Sequence, residues 1–201
     1  MSDREKIFSA IRAALEPLPK RTAKPEWERD LVVCRPSGDF DSLKAQLADK
    51  LAFASSRYCD SLEQLGEILQ QEGACFGYCD PSLASAFEQL EGITFETEYD
   101  EAKVDEYAFG ITKASAAIAE SGTIMLTDKD TSSRMGALSP WIHIAVIKES
   151  DIVANIPEAI ERFGDDPSIV FCTGPSKTAD VEGILIEGVH GPGIQIGFVL
   201  P

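Results

Sequence analysis

Short apolar runs of strand length alternate along this chain with stretches of helical periodicity, and that rhythm limits the folds open to it more than any other feature. ACFGYC (74–79) is such a run, Asp80-Pro81 offers a cap followed by proline at the first helical position, and residues 93–95 suit a further strand. Strand, helix, strand in succession favours a largely parallel sheet with right-handed crossovers and helices on its faces. Upstream, Phe40, Leu43, Leu47 and Leu51 recur at helical spacing, and Asp60 with Glu63 opens a helix that turns Leu62, Leu65, Ile68 and Leu69 inward. FGITKASAAIAESGTIMLTD (109–128) reads as two strands joined hairpin-fashion at Glu120-Ser121-Gly122, which makes the sheet mixed. WIHIAVI (141–147) is another strand and 157–163 a helix. SIVFC (168–172) is a near-continuous apolar run suited to a buried parallel strand, and strand-like runs around Gly191-Pro192-Gly193 end the sequence.

The N-terminal segment differs. Ser2 and Glu5 have capping-box spacing ahead of an apolar stripe of Ile7, Phe8, Ile11, Ala14 and Leu15, a helix that begins the fold or meets a partner. Pro17, Pro19, Pro25 and Pro36 then stand among charges, the composition of an extended connector. The expected organisation is therefore a helix and connector over 1–40 and one α/β domain over 41–201.

Charge narrows the partners. The chain carries 34 acidic and 18 basic side chains, a net charge of -16, which repels nucleic-acid phosphates and anionic lipid. An anionic small molecule is still compatible with a locally basic pocket. No apolar run is long enough to span a bilayer, and the first residues lack the apolar core of a secretion signal. Cys34, Cys59, Cys75, Cys79 and Cys172 form an odd set without the rhythm of a disulfide framework, so a cytoplasmic setting is expected. Cys75 and Cys79 have no further Cys or His beside them and read as two buried thiols; no metal site is expected.

Ligands of open α/β sheets bind outside the carboxyl ends of parallel strands, which directs attention to Thr173-Gly174-Pro175-Ser176-Lys177-Thr178-Ala179-Asp180. Its small residues let a ligand approach backbone N–H groups, and Ser176, Lys177 and Thr178 suit a carboxylate or phosphate; a hydroxyl-capped turn is an equal reading. Glu120-Ser121-Gly122-Thr123 places a carboxylate between apolar strands as nucleophile, base or binding group, against the blander reading of an exposed turn. Arg134 suits bidentate recognition of a carboxylate, or is a surface charge. Of the two histidines, His143 alternates with Ile142 and Ile144 and is the pattern of a satisfied core residue, whereas His190, in the glycine-flanked turn before Gly191, is the better candidate proton carrier.

Taken in order, GITKASAAIAESGTIML, the Arg134 loop, HIAVI, TGPSKTADVEGILIEGVHGP and the closing strand resemble the successive signature blocks of the LutC/YkgG (LUD-domain) family over 109–200. Ser121 stands where that family commonly has threonine, Lys177 where it has arginine and Val181 where it has isoleucine. The lysine keeps the charge and loses the planar fork. The resemblance implies a Rossmann-like three-layer αβα fold with a mixed, mostly parallel sheet, similar to the NagB/RpiA/CoA-transferase group. It also implies a role in oxidising L-lactate to pyruvate beside iron–sulfur subunits that carry the clusters, with no cofactor held by this chain; a homo-oligomer is compatible with it. The competing reading is a stand-alone enzyme or sensor for a small organic acid, sugar phosphate or acyl-CoA.

Overall fold

A parallel strand pair needs a crossover between its members, and the helices spaced between the apolar runs supply it. The computed structural model describes residues 2–16, 40–163, 166, 168–179 and 185–200. The chain divides into two compact units, Met1–Arg35 and Pro36–Pro201. In the first, α1 (Asp3–Leu15) starts at the expected capping box: the Ser2 hydroxyl accepts from Glu5 N and the Glu5 carboxylate accepts from Ser2 N. The connector 17–39, with Cys34, lies outside the described residues.

The second unit opens with α2 (Leu43–Phe53), β1 (Arg57–Cys59), α3 (Leu62–Gln71), β2 (Phe76–Cys79), α4 (Ala84–Phe87) and β3 (Thr94–Glu96). It continues through β4 (Phe109–Lys113), β5 (Ala116–Ile118), β6 (Thr123–Thr127), α5 (Arg134–Leu138), β7 (Ile142–Lys148), β8 (Ile152–Val153) and α6 (Ile156–Phe163). It ends with β9 (Ile169–Thr173), β10 (Lys177–Thr178), β11 (Ile186–Glu187) and β12 (Ile194–Leu200).

Six strands form the central sheet in the order β1-β12-β7-β4-β2-β3, and every neighbouring pair is parallel. Antiparallel pairs occur instead in a separate four-stranded sheet, β8-β5-β6-β9, and in a two-stranded one, β10-β11. The stretch 109–128 therefore holds three strands rather than two. Ala114 N still donates to Val146 of β7, while Ser115 N donates to Met125 of β6, so the chain changes sheets within one residue. β9 runs antiparallel to β6, not in the parallel sheet, and Phe171 is 42% exposed. Its apolar character comes from lying at the boundary of two small cores: Val170 and Cys172 pack on one, Ile169 on the other.

Two caps differ from expectation. Ser61, not Asp60, caps α3 by accepting from Gln64 N, while Asp60 accepts from the Tyr58 hydroxyl and pairs with Lys44. The Asp80 carboxylate accepts from Ser82 N and Ser82 Oγ in a turn, and α4 starts only at Ala84. Of the paired thiols, Cys79 is buried and Cys75 is exposed.

Period-2 alternation gives the central sheet two apolar faces. On one, Ile111, Ile144, Val146, Ile196 and Phe198 pack with Leu65 and Leu69 of α3 and Phe87 of α4. On the other, Ala145, Ile147 and Val199 meet Leu47 and Leu51 of α2, Ile124 and Leu126 of β6, and Ala137 of α5. Burying each such leucine stabilises by about 2 kcal/mol. Beyond the small sheet, Ala159 of α6 covers Ala116, Ile118, Met125 and Val153. The result is a Rossmann-like α/β fold, a parallel central sheet between helical layers, with the small, mostly antiparallel sheet built into one of them. Gly122 (φ +66°), before β6, and Gly174 (φ +81°), after β9, flank the terminal Thr123–Thr173 pair and press that one end of the small sheet onto the end of α2: a Cβ there would lie 2.4 Å from Lys50 O and 2.2 Å from Ala54 O. Among the described residues, no helix is long and apolar enough to cross a membrane.

Candidate functional site

Two neighbouring strands of the central sheet begin with the same pattern, isoleucine–polar–isoleucine: Ile142-His143-Ile144 on β7 and Ile194-Gln195-Ile196 on β12. Their parallel register pairs His143 with Gln195, and alternation turns both side chains to the face that carries the small sheet. They are 1% and 2% exposed, respectively. Buried polar groups need partners. Thr112 Oγ1 lies 2.9 Å from His143 Nε2, Ser56 Oγ donates to Gln195 Oε1 at 2.9 Å, and Gln195 Nε2 reaches the Cys172 carbonyl of β9 at 3.5 Å. Burial alone pushes the His143 pKa down to about 4, so its imidazole is neutral at physiological pH.

This pair stands at the wall of a cavity of about 240 Å³ between the two sheets. Leu138 at the end of α5, Phe171, Cys172 and Thr173 of β9, the Gly174-Pro175-Ser176 turn, and Pro192 complete its lining. Ser176 is locked there by its backbone, which donates to Pro192 O and accepts from Gly188 N, each at 2.8 Å. Burial pushes the Cys172 thiol up to about 11, so it stays protonated and acts as wall rather than nucleophile. Because His143 and Gln195 are the second residues of their strands, the cavity opens at the amino ends of the parallel sheet. The carboxyl-end rule did not reach it, since the strand preceding Gly174 belongs to the other sheet.

The residues singled out in the sequence fall in three places. Gly174, Pro175 and Ser176 line the cavity, and Gly191 sits against Ser176, 3.3 Å from its Cβ as measured from an ideal Cβ on the glycine. Thr178 pairs with Ile186 in β10–β11, and Lys177 turns outward, donating to Ser55 Oγ at 2.9 Å and pairing with Glu187 at 3.2 Å. Thr123 joins the rim through a hydroxyl chain, 2.7 Å from Ser121 Oγ and 2.8 Å from Thr173 Oγ1, with Gly122 between them on α2. The others point elsewhere. The Glu120 carboxylate accepts from Ile156 N at the start of α6, Arg134 pairs with Asp128 at 2.6 Å and donates to Ser168 O, and His190 is exposed and does not line the cavity. Asp180 and Val181 lie outside the described residues.

The carboxyl ends of β2 and β4 hold a closed polar network instead. Tyr78 Oη meets Ser132 Oγ at 2.7 Å, Lys113 pairs with Asp130 at 3.2 Å, and Thr131 donates to Lys113 O. Burial alone would raise the Asp80 pKa, but hydrogen bonds from Ser132 and Ser82 outweigh it and hold the carboxyl below its usual value. Among the described residues, no group of three or more His, Cys, Asp or Glu is placed to hold a metal ion.

Comparison with known proteins adds the family. A model of the LUD domain matches residues 63–196, two thirds of the chain, a span that includes every described residue lining the cavity. The chain belongs to the LUD domain family. Among its relatives, a protein of Halalkalibacterium halodurans named lactate utilization protein C is 28% identical over 94% of this chain and 90% of its own length. A protein of the same name from Oceanobacillus iheyensis is 37% identical, but over 41% of this chain and 39% of its own length. The chain thus spans about two fifths of that relative. The crystal structure of a DUF162 family protein from Deinococcus radiodurans superposes with a TM-score of 0.57 at 25% identity, covering 79% of this chain and 96% of the other. In this LUD domain His143, read from the sequence as a satisfied core residue, is paired with Gln195, which sequence reasoning did not single out; the repeated Ile-polar-Ile pattern at two strand starts was the signal for the pair.

Proposed function

We propose that this LUD domain is a non-redox member of a lactate-utilisation system, acting in the cytoplasm beside iron–sulfur subunits that oxidise L-lactate to pyruvate. Relatives named lactate utilization protein C support the system. The observation that carries the accessory role is the lining of the cavity. Lactate is a carboxylate, and a site built to oxidise it holds that group with a cation. Among the described residues, no lysine or arginine lines this cavity; Lys177 is committed to Glu187 and Ser55, and Arg134 to Asp128. Oxidation removes two electrons and two protons from lactate, and the reading assigns their acceptor to the partner subunits. The chain's own contribution is then to assemble or gate that system, with its cavity as a point of control.

The competing reading, a stand-alone enzyme or sensor for an organic acid, sugar phosphate or acyl-CoA, asks for the same missing cation. Reconstitution separates the two. Lactate-dependent electron transfer by the iron–sulfur subunits is measured with and without this chain, and a fall of at least about tenfold on omission is expected. An unchanged rate sinks the accessory role.

A further inference from the structure

We infer that the cavity between the two sheets binds a small, uncharged organic molecule carrying a carbonyl or hydroxyl group, held by His143 and Gln195. This inference concerns the control point left open above, and it is tested on the chain alone, so it stands or falls apart from the lactate-oxidation reading.

Three features of the site point to that class. First, size: at about 240 Å³ the cavity exceeds the roughly 150 Å³ that accommodates benzene, which leaves room for about ten non-hydrogen atoms. Second, polarity: Leu138, Phe171, Pro175 and Pro192 are apolar walls, and among the described residues the polar side chains are those of His143, Gln195, Thr173 and Ser176 together with the weakly polar Cys172 thiol. This is the composition of a ligand site, mostly apolar with a few placed hydrogen-bonding groups. Those groups are preorganised. Ser56 fixes the Gln195 carbonyl oxygen, which orients the amide nitrogen as a donor, and Thr112 engages His143 at Nε2. Among the described residues, none hydrogen-bonds His143 Nδ1, so that nitrogen is the ring's remaining polar atom.

Third, charge. An anion entering here would leave water without meeting a cation among the described residues, inside a chain whose net charge is -16. A cation would meet no carboxylate either, since among the described residues no Asp or Glu lines the cavity. A neutral hydrogen-bonding molecule loses least on entry, and neutral imidazole and carboxamide are the partners that suit it.

The test uses two matched pairs that keep shape and change charge: lactamide against L-lactate, and benzamide against benzoate. Each is titrated into the full chain at pH 7.5, following the His143 ring and Gln195 side-chain amide signals by NMR. The expected result is saturable shifts of both signals with at least one neutral probe, at an affinity at least about tenfold above its anionic partner. Phe171 is half exposed, so Phe171→Ala keeps the fold, which the amide spectrum verifies, and weakens the neutral probe at least about fivefold. An anion bound as tightly as its amide, shifts in neither signal with either amide, or undiminished binding by Phe171→Ala each overturns the inference.

Discussion

His143 shows how one buried residue ties stability to pH. Its pKa falls from 6.5 to about 4 through burial, so between those values the unfolded chain binds more protons than the folded one. Stability is therefore complete above pH 6.5 and is lost as pH falls toward 4, at up to about 1.4 kcal/mol per pH unit. Comparing urea denaturation at pH 7.5 and pH 5, the protein is expected to lose about 2 kcal/mol more than the His143→Gln variant. Equal losses would mean that the imidazole is charged or hydrated in the folded state. The Asp80 carboxyl adds acid sensitivity at lower pH, because its pKa is held below the usual carboxylate value and its contribution disappears only as pH falls through that lowered value. The sequence could place His143 on a strand face; the pairing that makes it a cavity wall is a relation between two distant strands.

At the scale of elements, the end of α2 is the support on which the rim of the cavity rests. Gly174 joins β9 to the cavity-lining turn at φ +81°, and its Cα faces Ala54 O so closely that a methyl group would overlap it. Gly174→Ala combines the cost of a left-handed alanine, about 1–2 kcal/mol, with displacement of the turn from α2. Thermal unfolding is expected to show a loss of at least about 2 kcal/mol; a smaller change would mean that the turn moves freely off the helix. Helix and strand identities were largely legible, since Leu47, Leu51, Leu65 and Leu69 all face the core as their spacing requires. Caps were less legible. Asp60-Ser61 offers two capping side chains in a row, and the choice of Ser61 follows from Asp60 being held by Tyr58 and Lys44.

For the whole molecule, the excess of acidic side chains is a global term. A net charge of -16 opposes compaction, and salt screens it over a Debye length of about 8 Å at physiological ionic strength. Raising NaCl from 20 to 300 mM should raise the melting temperature by about 2 °C or more, and a fall would show that ion pairs such as Lys113–Asp130 outweigh the repulsion. The amino-acid sequence alone determined the α/β class, most helices and strands and the family blocks, because periodicity and turn chemistry act over a few residues. Tertiary structure alone decided that the antiparallel strands leave the central sheet, that Lys177 and Glu120 turn from the cavity, and that His143 and Gln195 meet at the amino ends of β7 and β12. Those outcomes depend on register and on packing between distant segments, where small differences in burial select one pairing among several that the local pattern permits.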